Sequence, residues 1–148
     1  MQYLRATCAT LLLAATLPLV GCQDPTPPVG EVTGVVTIDG KPLPKVSVLF
    51  IPADSQGFSG ITSSAITDDN GHYTLEYKIP NPSNPAEPVF GAGALVGSHA
   101  VVVSDYKMMA ELLPPPGRIP QRYTDPGTTP LGFDVTEGSQ SIDIELQL

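Results

Sequence analysis

Tryptophan is absent from this chain of 148 residues, and cysteine and histidine occur only twice each. Basic residues number seven against 15 acidic ones, and charged residues of all kinds make up 15%. Scarce Lys and Arg exclude a nucleic-acid partner, because such surfaces depend on cations that neutralise phosphates. Two histidines exclude a His-rich metal site by count. No Gly-x-Ser-x-Gly occurs, so a Ser–His–Asp triad would lack any motif to position it. Proline (17) and glycine (14) are plentiful instead. Proline breaks helix interiors and glycine weakens them, which argues against a helical bundle. The length suits one domain of ordinary size.

Residues 1–21 read as a signal peptide to be cleaved. Arg5 supplies one positive charge, and Ala6 to Val20 carries none. Fifteen residues are too few for a membrane-spanning helix, which needs about 20, but suit the apolar centre of a secretory signal. Leu19-Val20-Gly21-Cys22 follows: a branched apolar residue, two smaller ones, then cysteine. This segment resembles the lipobox of bacterial lipoproteins. The resemblance implies cleavage between Gly21 and Cys22 and attachment of diacylglycerol to the Cys22 thiol. Gln23, rather than Asp, follows the cysteine, which by the sorting rules of that family favours the outer membrane. With Cys8 discarded, Cys22 has no partner for a disulfide. All 15 acidic residues lie beyond it, so the mature chain is more acidic than the net charge of −8 suggests.

Residues 22–30 form a lipidated Pro-rich spacer, and a β-domain is expected over 31–148. Strands are expected at 31–39, 45–51, 60–67, 72–77, 97–106, 131–136 and 141–148. Val32, Gly34, Val36 and Ile38 share one face of the first; Tyr73, Leu75 and Tyr77 share the core face of the fourth. Ile142, Ile144, Leu146 and Leu148 should face inward on the last. Asp39-Gly40 and Asn70-Gly71 read as turns, the second within a hairpin. Residues 78–88 hold four prolines and read as a long loop, and 108–113 as one or two helical turns. Seven short strands without an amphipathic helix predict an antiparallel β-sandwich.

Gly34-Val35-Val36, Gly40-Lys41-Pro42-Leu43-Pro44, Val46 and Val48 resemble the opening of carboxypeptidase regulatory-like domains. Thr67-Asp68-Asp69-Asn70-Gly71-His72-Tyr73-Thr74-Leu75 resembles their central hairpin, and Val96-Gly97-Ser98-His99 with Val101 and Val103 their fifth strand. Ile119-Pro120, Arg122-Tyr123, Asp125-Pro126 and Thr128-Thr129-Pro130-Leu131 are similar to the C-terminal part of small lipoproteins built from this one domain. The resemblance implies a transthyretin-like Greek-key sandwich that folds, spaces or binds rather than catalyses. Catalytic relatives fit poorly. Hydroxyisourate hydrolases end in Tyr-Arg-Gly-Ser where this chain ends Glu145-Leu146-Gln147-Leu148, and intradiol dioxygenases need two Tyr and two His around iron.

The remaining candidates divide into structural and functional readings. Parity places His72 on an exposed face and His99 among inward residues, bonded to backbone. Asp68-Asp69-Asn70-Gly71 carries calcium-type oxygens, but Glu76 lies in the next strand rather than closing a loop, so a turn accounts for it better. Phe58, Phe90 and Tyr123 fall in loops and are candidates for a partner surface or for plugging the sandwich ends. The expectation is therefore a non-enzymatic, cofactor-free protein held to the envelope by lipid. The alternative is a glycan- or protein-binding module using the 78–96 and 107–130 loops.

Overall fold

The computed structural model describes residues 28–53, 61–79, 84, 86–106 and 117–148. Cys22, Gly21, Phe58, the 108–113 segment and most of the 22–30 spacer lie outside them.

Twelve short strands build two facing sheets among the described residues. The first sheet is organised around β1 (Val29–Ile38), which begins two residues earlier than expected. One edge of β1 receives three fragments in antiparallel order: β8 (Ala94–Leu95) at Val29–Gly30, β5 (His72–Thr74) at Thr33–Val35, and β2 (Lys41–Pro42) at Thr37–Ile38. The other edge receives β11 (Gly138–Ser141) and β12 (Ile144–Leu146). These two pair in parallel, the exceptions to an otherwise antiparallel pairing. Parallel neighbours need a long crossover rather than a hairpin, and here nearly the whole domain separates β1 from β11.

The second sheet runs β10 (Gly132–Val135), β9 (Gly97–Asp105), β3 (Val46–Pro52), β4 (Ser63–Ile66), β6 (Glu76–Ile79), β7 (Val89–Ala92). Its centre is the seven-residue ladder of β3 with β9, from Val46 opposite Asp105 to Pro52 opposite His99. Val48, Phe50, Val101 and Val103 point from it into the core, meeting Val32, Val36, Ile144 and Leu146 from the first sheet. Phe50 is fully buried; its ring lies 6.5 Å from Tyr73, 5.8 Å from His99 and 6.3 Å from Phe133.

The expected fourth strand is divided. Residues 72–74 pair with β1 in one sheet and 76–79 with β4 in the other, the break falling at Leu75. Alternation continues through the break, because Tyr73 and Leu75 face the same core from either side. Hence the Asp68–Gly71 segment joins two sheets instead of closing a hairpin ladder. Only Gly71 takes a left-handed conformation there, at φ 78°; Asn70 does not. The Asp39–Gly40 turn matches its sequence, with φ of 48° and 74° and Ile38 opposite Lys41, as a two-residue hairpin of that composition requires.

Three further differences have local causes. Lys78–Ile79 belong to β6, and Phe90 lies in strand β7 rather than a loop. The expected loop is rich in proline only up to Pro88, and an edge strand can begin directly after a proline. Leu148 is 79% exposed rather than inward, because β12 ends at Leu146 and the terminal amide turns to Asp39 Oδ1 at 3.4 Å. Finally, the last strand is interrupted at Ile142–Asp143, where Asp143 Oδ1 replaces a backbone carbonyl and accepts from Val35 N at 3.0 Å.

Candidate functional site

Every polar motif that the sequence marks can be followed atom by atom. At the 67–72 turn, Thr67 is buried and its hydroxyl donates to Leu43 O (2.8 Å) while accepting from Val46 N (3.0 Å). This clamp holds Lys45 in its left-handed conformation, φ 55°. Asp68 Oδ1 accepts from Asn70 N (2.8 Å) and His72 N (2.9 Å). These two backbone donors hold its carboxyl below the usual carboxylate range. Asp68 Oδ1 is thus engaged by the turn itself, and no group of three His, Cys, Asp or Glu is poised for a metal among the described residues.

His72 is exposed on the first sheet, whereas His99 is buried in the second. They do not form one site. His99 Nδ1 donates to Gly97 O at 2.9 Å, which leaves Nε2 as the unprotonated nitrogen. That atom has no hydrogen-bond partner among the described residues, and the ring packs against Phe50. Burial pushes the His99 pKa down from its ordinary value, opposed by the Gly97 carbonyl and Asp134. The unfolded chain therefore binds a proton more readily than the folded one. Stability from His99 is complete above about pH 6.5 and is lost as pH falls from there through the depressed folded value. His99→Phe is expected to flatten the stability–pH curve in that window, read by urea unfolding between about pH 7 and 5. Asp68 acts separately, below about pH 4, so a curve unchanged by His99→Phe near pH 6 would contradict this assignment.

The segment from Ile119 to Leu131 is a strap across one end of the sandwich. Ile119 and Tyr123 insert into the core, at 6% and 5% exposure, Tyr123 from a short 3₁₀ turn at Gln121–Tyr123. The Tyr123 hydroxyl accepts from Gln147 N (3.2 Å) and from Arg122 (3.3 Å), which lower its pKa in that order. The Arg122 guanidinium lies 4.6 Å over the Tyr123 ring and also donates to Gln147 O. Asp125 caps its own turn by accepting from Gly127 N (2.7 Å), and Thr129 Oγ1 donates to Val101 O (2.6 Å). Tyr123 therefore plugs the sandwich end and offers no partner surface. Phe90, by contrast, is 62% exposed.

Sequence reasoning missed the ion pair between Asp105 and Arg118. Asp105 is buried at the end of β9, and Arg118 grips it with Nε to Oδ2 (2.9 Å) and Nη2 to Oδ1 (2.8 Å), while Nη2 also donates to Pro44 O (3.0 Å). The carboxylate in turn raises the Arg118 pKa. No local signal announces a pair whose members stand thirteen residues apart. It missed, too, a shallow concavity of about 300 Å³ on the outer face of the second sheet, lined by Ser47, Ser64, Ala65, Ile66, Glu76 and Tyr106. Its hydroxyls, carboxylate and half-exposed tyrosine can hydrogen-bond a polar ligand against an aromatic face. No family model, curated protein or solved structure matches this chain.

Proposed function

We propose that this is a lipid-anchored, non-enzymatic β-sandwich protein of a bacterial cell envelope, with a structural or interaction role. Leu19-Val20-Gly21-Cys22 behind an uncharged apolar run carries the reading. In it, residues 1–21 are removed and Cys22 bears the lipid; more than one acyl chain is needed for firm attachment, at about 0.8 kcal/mol per buried methylene. The position of β1 adds a physical consequence. The sheet begins at Val29, so the tether from Cys22 spans at most roughly 25 Å even when fully extended. The folded domain then stands against the membrane, favouring the outer one, and works at short range. A carboxypeptidase regulatory-like, Greek-key domain is the fold proposed for 31–148. The reading is supported by where these side chains sit: the His99 ring packs on Phe50 in the core, Asp68 Oδ1 holds its own turn, and Tyr123 is buried in the strap.

Metabolic labelling of the expressed chain with a palmitate analogue tests the anchor. The wild-type protein is expected to carry label and to sediment with membranes, and Cys22→Ala to lose both. Label that persists in Cys22→Ala sinks the proposal.

A further inference from the structure

The two outer edges of the second sheet are unlike. β10 carries Asp134 in its four residues, and a charge on an edge strand discourages further pairing. β7, Val89-Phe90-Gly91-Ala92, carries none, exposes Val89 (52%) and Phe90 (62%), and has no further strand beside it among the described residues.

We propose that β7 is a self-association edge, where two copies of this chain join their second sheets through antiparallel β7 strands about a two-fold axis at Gly91. The hydrogen-bond phase supplies the first argument. Gly93 N donates to Leu75 O (2.7 Å), and Gly91 stands opposite Tyr77. Antiparallel bonding alternates along a strand, so the N–H and C=O groups of Phe90 and Ala92 point away from β6. With Gly91 opposite Gly91 of the second copy, Phe90 faces Ala92 of the other chain twice, and these outward groups form four inter-chain hydrogen bonds.

Shape and hydrogen-bonding capacity select this register. On the outer face, Lys78 lies beside Phe90 and Glu76 beside Ala92. The Gly91-centred pairing sets Phe90 of each copy against the small Ala92 of the other. Shifting the axis to Phe90 sets Ala92 opposite Pro88, which has no N–H to donate, and shifting it to Ala92 sets Phe90 opposite Ala94, already paired with Gly30 in the first sheet. On the inner face the Tyr77 ring already covers Gly91, where an added Cβ would lie 2.3 Å from it, so the two glycines meet without crowding. The surface is thus its own complement, as a two-fold interface requires.

Analytical ultracentrifugation of the detergent-solubilised full chain tests this, with lipid label scored in parallel so that failure of the anchor and failure of the dimer are read separately. A concentration-dependent dimer is expected. Phe90→Lys should weaken it by about 30-fold or more, as for loss of a central interface anchor, without altering the thermal midpoint measured at concentrations where the wild type is monomeric. Ala92→Pro, which removes an outward N–H that the β6 ladder does not use, should weaken it to a similar extent. A monomer at all concentrations, a dimer indifferent to Phe90→Lys, or a dimer indifferent to Ala92→Pro would each overturn the proposal.

Discussion

Replacing Gly34 by alanine is expected to cost about 3 kcal/mol or more and to lower the thermal midpoint by roughly 10 °C. A Cβ at this position would lie 1.9 Å from Ile142 O and 3.0 Å from the Tyr73 ring. Backbone cannot yield as a flexible side chain does, so β1 and the last strand must separate locally. Gly34 stands directly opposite Tyr73, whose ring crosses the glycine and whose hydroxyl donates to Ile142 O at 2.6 Å. One glycine thereby lets a tyrosine on one side of β1 tie down a carbonyl on the other. Burial holds the Tyr73 hydroxyl well above its ordinary pKa, so it remains a donor through the neutral range. Tyr73→Phe, which removes only that bond, should cost about 1–2 kcal/mol. Urea unfolding of the two variants against wild type makes the comparison, and an unchanged midpoint for Gly34→Ala would refute the close approach.

Loss of the Arg118 guanidinium is expected to have an effect of similar size. Arg118→Ala strips a bidentate partner from Asp105, whose side chain is only 7% exposed. Removing one member of such a pair costs about 3 kcal/mol, because the charge left behind is poorly solvated. The Arg118 side chain is 42% exposed, so the lower end of the usual range applies. Arg118→Lys should recover only part, since an ammonium cannot span both carboxylate oxygens. The double variant Arg118→Met with Asp105→Asn should be less destabilised than the sum of its two single variants, and a strictly additive result would show that the two side chains do not act together. By contrast, the exposed Lys45–Asp69 contact at 3.1 Å should contribute little.

How legible the fold is in the sequence depends on the range of the interaction concerned. Val32, Val36, Val101 and Val103 are buried where alternation puts them, because period-two patterning is a local property. Asp39-Gly40 is legible for the same reason. The division at Leu75 is not, since a strand passing from one sheet to the other keeps its inward and outward residues unchanged. β7 and β8 escape because they are two to four residues long and interrupted by glycine. At the candidate sites, His72 and His99 fall on the expected faces by parity, and Phe90 is exposed while Tyr123 is not. No pattern in the chain separates those two aromatics.

The amino-acid order by itself determined an all-β character, the Asp39–Gly40 turn and much of the core, together with the uncharged apolar run and cysteine on which the anchor proposal rests. All of these are short-range properties of side-chain type and spacing. Only the tertiary structure decided the parallel seating of the final strands on β1, the passage of Tyr73 over Gly34, the capture of Asp105 by Arg118, and the exposed edge at Phe90. Each depends on register between segments distant in the chain, and register is set by how two whole sheets pack together.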